Sequence, residues 1–315
     1  MLDTIFLDSD VSDDIRRGQL YDGKIFVFHA RPSSIALCNF ARGMIEDAFR
    51  GIDPRMAQYH MAVEEYVAIV APLKPRFIHH PVTRKLLVEV VHEFGCDPDK
   101  TYVDVPRLRA VTHGGYLTSG VGYAHHPHRD TWYSAPMCQL NWWVPIYPFQ
   151  SESSMAFHPR YWSEPVRNSS SEFNYYEWNA NGRRNAARYI KADTRKQPRA
   201  QEPIELDPQI RIVCQPGEII LFSAAQLHST VPNMSGCARY SIDFRTVHID
   251  DVKARIGAPN IDSSPAGTSL RDFLRGRDCA PIAEEIVQTY ENGASKEGVL
   301  VFRGAADERS DLPAR

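Results

Sequence analysis

From Thr101 onward the chain breaks into short runs rich in Val, Ile, Tyr and Trp, each closed off by Gly, Pro, Ser or Asn. TYVDVPRLRAVT, YAHHPHRDTWY, MCQLNWWVPIY, SSMAFHP, IRIVCQ, GEIILFS, HSTVPN and ARYSIDFRTVHI continue this pattern to about residue 250. Runs of that length and chemistry predict a sandwich or barrel of antiparallel strands. The first hundred residues read differently. A strand is expected over 20–30, and apolar spacing predicts helices over 35–49, 55–70 and 82–94. Ser33 or Ser34 is the expected first N-cap, and Pro72, Pro75 and Pro81 punctuate the region. Helices followed by strands predict one domain over 1–315, mainly β with flanking helices. Its parts are a mostly helical support (1–100), a β-barrel core (101–250) with helices packed on its outside, and a C-terminal extension (251–315). The extension is expected to hold a helix over 281–291 and a strand over 298–303, with 304–315 frayed.

Composition narrows the partners. The chain is 43% apolar and 24% charged, enough for a packed core, and its net charge is −3. That balance offers nucleic acid or an anionic membrane no general attraction. No run approaches the ~20 apolar residues of a membrane span. The acidic opening MLDTIFLDSDVSDD lacks the order of a signal peptide. Six scattered cysteines without a CxxC pair predict reduced thiols and a cytoplasmic protein.

A polar insertion over about 150–207 interrupts the strands. A connection of that length is a lid, a binding loop or a disordered segment, and Trp162, Phe173, Tyr175, Tyr176 and Trp178 argue against plain disorder. Between Asn179 and Ala200 it is basic, with Arg183, Arg184, Arg188, Lys191, Arg195, Lys196 and Arg199 against Asp193 alone. Such a run is either a solvated helix face or a lid that screens an anionic substrate.

The sharpest chemical feature is His128-Arg129-Asp130. On a strand, residues i and i+2 share a side, so an imidazole and a carboxylate would face one point. One distant histidine would complete the two-histidine, one-carboxylate set that holds non-haem Fe(II) with open positions. A second such triplet, His248-Ile249-Asp250, has no histidine after it. The first is followed by PGEIILF, by His228 in LHSTVPN and, after ten intervening residues, by Arg239-Tyr240-Ser241. On a strand Arg239 and Ser241 share a face.

HxD, a distal His, ten residues and R-x-S together resemble the Fe(II)- and 2-oxoglutarate-dependent oxygenases, nearest their phytanoyl-CoA dioxygenase-like branch. The resemblance covers roughly residues 100–250. The 97 residues between Asp130 and His228 exceed the usual gap, which the insertion accounts for. The resemblance implies a double-stranded β-helix, that is, a jelly-roll or cupin-like barrel with the insertion as a long lid. It implies that His128, Asp130 and His228 bind Fe(II), with 2-oxoglutarate and O2 as cosubstrates. Arg239 and Ser241 would take the far carboxylate of 2-oxoglutarate, with Arg245 as the second-ranked arginine. The implied reaction is hydroxylation of a C–H bond in a small polar or anionic metabolite, with release of succinate and CO2. A carboxylate at Asp130 favours hydroxylation over halogenation.

Other residues stay open between two roles. Gln139 and Asn141 alternate with Leu140 and Trp142, so they contact 2-oxoglutarate or substrate, or lie on an exposed outer face. His126 lines the pocket or bonds to backbone. Trp132 walls the site or packs in the core. Arg183, Arg184 and Arg188 are the candidate substrate contacts of the lid. Two other functions compete: a non-oxidative cupin-type metalloprotein, which needs no Arg239-x-Ser241, and a metal-free β-barrel binding protein, which needs no metal ligands.

Overall fold

The computed structural model describes residues 5–122, 124–182, 188–190 and 192–291. Within them run β1 (Ile5–Leu7), β2 (Ile25–Phe28), β3 (Thr101–Val103), β4 (Arg107–Val111), β5 (Leu140–Pro145), β6 (Met155–Phe157), β7 (Ile210–Arg211), β8 (Ile219–Ser223), β9 (His228–Thr230), β10 (Arg239–His248) and β11 (Leu274–Arg275). The larger sheet has the order β1-β2-β8-β5-β10-β3-β11, and β4 also pairs with β10. Its pairings are antiparallel except β1 with β2. The smaller sheet, β7-β6-β9, is antiparallel throughout. The expected β-rich core with flanking helices is present as two sheets; their ladders remain separate among the described residues.

Strand alternation decides what each face of the larger sheet meets. Leu140, Trp142, Val144, Leu221, Tyr240, Ile242 and Phe244 pack into one core with the helices. Those helices are α1 (Asp13–Tyr21), α2 (Pro32–Phe49), α3 (Val63–Ile78) and α4 (Pro81–Glu93), and they contribute Leu20, Leu37, Ile45, Tyr66, Phe77 and Val90 to that core. On the opposite face Ile25, Trp143, Ile220 and Phe222 pack against Met155 and Phe157 of the smaller sheet. Each such side chain contributes roughly 1.5–3 kcal/mol on burial.

The helical region departs from expectation at its punctuation. Pro72 and Pro75 lie inside α3, which runs to Ile78 rather than ending near residue 70. Burial of Tyr66, Val67, Val70, Leu73 and Phe77 along one stripe offsets the hydrogen bonds that the prolines remove. The α2 N-cap is Arg31, not Ser33 or Ser34; Pro32 occupies the first turn, and Ser34 Oγ accepts the Arg31 N–H at 3.0 Å.

Residues 124–133 of YAHHPHRDTWY are not a strand. They make one β-bridge, His128 with His228, and then turn into a 3-10 helix, Asp130–Tyr133. SSMAFHP contributes β6, so the polar excursion starts after Phe157. The ends of its central part are tied by an Asn168–Ala200 bridge and by Gln201 N donating to Arg167 O at 2.8 Å. The helix expected over 281–291 is confined to Glu284–Gln288. The strand expected over 298–303 and the segment 304–315 lie outside the described residues.

Candidate functional site

The β-bridge between His128 and His228 sets two imidazoles side by side, with backbone N–H···O bonds of 2.9 and 3.0 Å and ring centroids 4.4 Å apart. His128 Nδ1 lies 2.7 Å from His126 O, and His228 Nδ1 lies 3.0 Å from Gln226 O. A carbonyl can only accept, so each Nδ1 carries a proton, and Nε2 is the ring atom turned toward the shared point. Asp130 N donates to Ala224 O at 2.9 Å, which starts the 3-10 turn and brings the carboxylate back to the same point. Asp130 Oδ1 lies 3.3 Å from His128 Nε2 and 3.9 Å from His228 Nε2. One ligand atom from each of the three residues falls within 4.8 Å of the others. The triad expected from strand alternation is therefore assembled by a bridge and a turn.

Arg129, between His128 and Asp130 in sequence, points the other way and is 2% exposed. It donates to Asp262 at 3.1 Å, to Ala225 O at 2.7 Å and to Glu164 O at 3.1 Å. Asp262 also accepts the Trp132 indole N–H at 2.7 Å. This buried junction anchors the loop that carries His128 and Asp130.

Burial acts to raise the Asp130 pKa, but Arg245 and the neighbouring histidines override it and hold the carboxyl well below the usual range. Burial, reinforced by His128, pushes the His228 pKa down to about 4 against the opposing pull of Asp130. Both groups stand in the protonation state a divalent cation requires.

The same cavity is lined by Arg109, Asn141, Trp143, Phe222, Arg239, Asp243 and Arg245, and it encloses about 610 Å³ including its open mouth. Arg239 is 5% exposed, with its guanidinium 5.3 Å from the Trp143 ring. Its Nε and Nη1 have no hydrogen-bond partner, and neither has the fully buried Ser241 Oγ. Burial pushes the Arg239 pKa down to about 10, against the attraction of Asp243. Arg245, on the same strand face, is engaged by carboxylates: Asp243 at 3.2 Å, Asp130 at 3.4 Å and Asp104 at 3.7 Å. Arg245 Nη1 also makes no hydrogen bond, but it lies beside the Asp243 and Asp104 carboxylates, whereas the free donors of Arg239 face no carboxylate of the described residues within ion-pair distance. A planar carboxylate is the group that a guanidinium edge and an adjacent hydroxyl satisfy, so the residues present fit an acid such as 2-oxoglutarate.

No protein-family model matches the chain, and no curated protein does. Solved structures give low overall likeness. The non-haem monooxygenase ThoJ in its apo form has 13% identity and a TM-score of 0.39, covering 86% of this chain and 81% of that one. The epimerase SnoN in complex with Fe3+, α-ketoglutarate and nogalamycin RO gives 13% and 0.39, covering 87% and 98%. EvdO2 from Micromonospora carbonacea var. aurantiaca, complexed with 2-oxoglutarate, gives 13% and 0.34, covering 55% and 62%. At these scores the likeness decides nothing about this chain.

The other expected site residues divide. Asn141 lines the cavity. Gln139 stands behind it, with Nε2 donating to Asn141 Oδ1 at 3.0 Å and to Asp130 Oδ2 at 3.5 Å. Trp132 does not wall the site: it is fully buried with Tyr161, Val166 and Leu227, because the 3-10 turn rotates it away from Asp130. The His126 side chain is exposed, and its carbonyl, not its ring, serves His128. Its neighbour His125 lines the cavity instead, with its ring stacked 5.0 Å from that of His128. Irregular backbone at Pro127 breaks the alternation that favoured His126. Arg188 is exposed, and Arg183 and Arg184 lie outside the described residues. Asp250 of the second triplet pairs with Lys100 at the surface. Arg109 and Asp243, paired at 2.5 Å, are site residues the sequence reading does not name; the signal for Asp243 is that it shares a face of β10 with Ser241 and Arg245.

No helix among the described residues is long and apolar enough to cross a membrane. All six cysteines are free thiols.

Proposed function

We propose that this chain is a non-haem Fe(II)- and 2-oxoglutarate-dependent dioxygenase that hydroxylates a C–H bond of a small polar metabolite, with release of succinate and CO2. The observation that carries the reading is the conjunction, in one cavity, of three convergent ligand atoms and a buried arginine with unused donors. When bound, Fe(II) and 2-oxoglutarate supply the oxidising chemistry. His128, Asp130 and His228 would hold the metal, leaving positions open for cosubstrate. Arg239 and Ser241 would bind the far carboxylate, and Asn141 lies within the same cavity. Trp143 and Phe222 keep that end dry, which strengthens the ion pair.

Charge supports a substrate of small net charge, neutral or singly anionic. Arg107, Arg109, Arg239 and Arg245 exceed Asp104, Asp130 and Asp243 by one, so Fe2+ with a 2-oxoglutarate dianion leaves one positive charge around the pocket. Arg195 of the basic run is already engaged by Asp193. A more strongly anionic substrate would draw on Arg183, Arg184 or Arg188. The lid reading rests on Tyr133, whose ring meets both His128 (5.5 Å) and Phe173 of the excursion (5.3 Å).

A cupin-type isomerase or a metal-free binding protein has no use for a buried guanidinium with two nitrogens lacking hydrogen bonds, an arrangement that costs several kcal/mol. The deciding assay incubates the protein with Fe(II), ascorbate, O2 and 2-oxoglutarate and measures succinate. Slow succinate release that a hydroxylatable substrate accelerates supports the reading. Absence of both turnover and 2-oxoglutarate binding refutes it. Excising 169–199, whose flanking residues Asn168 and Ala200 are bridge partners, should uncouple 2-oxoglutarate consumption from product formation. Coupled turnover by that variant would remove the lid from the account.

A further inference from the structure

We infer that Arg245 is a positioning residue for the metal centre: with Gln139 it holds one oxygen of Asp130, so that only the other is offered to a metal. This rests on the reading above that the triad binds a metal. The two oxygens of Asp130 have different neighbours. Oδ1 faces His128 Nε2 at 3.3 Å and His228 Nε2 at 3.9 Å. Oδ2 faces Arg245 Nη2 at 3.4 Å and Gln139 Nε2 at 3.5 Å. A carboxylate with both oxygens free can swing or chelate through both; donors on one oxygen remove that freedom.

Arg245 is suited to the task because it is itself immobilised. Its backbone N donates to Asp104 Oδ1 at 2.8 Å, and its Nη1 lies 3.2 Å from Asp243 Oδ2 and 3.7 Å from Asp104 Oδ2. Asp104 is held by Arg107 and Asp243 by Arg109, each at 2.5 Å. These carboxylates, shared with Arg107 and Arg109, oppose only part of the positive charge that would repel a cation bound at Oδ1. What Arg245 contributes is therefore geometry, through a fork that reaches Asp130 and Asp243 together. Lysine keeps the charge but has no fork.

Arg245→Lys tests this without changing the charge. Co(II) titrated into the metal-free protein, followed by tryptophan fluorescence and by the visible Co(II) bands, should bind Arg245→Lys about tenfold or more weakly, with altered bands. Gln139→Leu should weaken binding by a smaller factor. Arg107→Lys disturbs the same network without touching Asp130 and should leave affinity and bands unchanged. Wild-type affinity and bands in Arg245→Lys would overturn the proposal. So would equal losses in Arg245→Lys and Arg107→Lys, since that marks a merely structural network. If the wild-type protein binds no divalent metal, the functional reading itself fails, which is a separate result.

Discussion

Along β10, Tyr240, Ile242 and Phe244 enter a helix-covered apolar core, while Arg239, Ser241, Asp243 and Arg245 face the other way, toward the cavity. Most of both sets are buried, yet they are buried differently. The outer set satisfies itself by packing. The inner set includes donors that nothing in the protein satisfies, at Arg239 and Ser241. One strand thus separates a face that holds the fold together from a face that the fold tolerates for what it binds. Substitutions should report the two jobs separately.

The largest effect belongs to the outer face. Ile242→Ala, at a fully buried position, should cost roughly 2–5 kcal/mol in denaturant unfolding. A loss under 1 kcal/mol would mean that the helix-covered core is not what stabilises the sheet. On the inner face, Arg239→Met should leave unfolding stability unchanged or higher, since it removes a buried charge without partners. The same variant should weaken 2-oxoglutarate binding by roughly 2–4 kcal/mol. Arg245→Met should affect cosubstrate binding less; the reverse ranking would transfer the carboxylate to Arg245. Ser241→Ala, which removes one neutral donor, should cost only about 0.5–1.5 kcal/mol in that binding.

A smaller effect concerns pH. Burial lowers the pKa of His158 and, in metal-free protein, of His228, the latter to about 4. Above pH ~6.5 both are neutral whether folded or not. As pH falls below that, the unfolded chain takes up protons that the folded chain refuses, so stability declines toward pH 4. His158→Gln should flatten part of that decline in urea unfolding. An unchanged slope would show that burial does not hold this histidine neutral.

What was legible in the sequence follows the same division. His128, Asp130, His228, Arg239 and Ser241 could be chosen because their identities and spacing carry the chemistry; the structure brings the first four to one cavity and sets Ser241 on the same face of β10 as Arg239. Alternation on β5 and β10 also placed Asn141 and Trp142 on opposite faces. Alternation failed where the backbone is not a strand. The 3-10 turn at Asp130 sends Trp132 into the core, and the irregular stretch around Pro127 exchanges His126 for His125. The occupation of Arg245 depends on Asp104, a residue remote in sequence that only the pairing of β3 and β4 with β10 brings near.

The central claim is that this inner face holds Fe(II) and 2-oxoglutarate together. The most direct test adds both to oxygen-free protein and records the visible spectrum, with Asp130→Ala and Arg239→Met in parallel. The account predicts a metal-to-ligand charge-transfer band in the wild type, none in Asp130→Ala, and a band in Arg239→Met that needs far more 2-oxoglutarate to develop. Absence of the band in the wild-type protein at saturating Fe(II) and 2-oxoglutarate, or its persistence in Asp130→Ala, would contradict it.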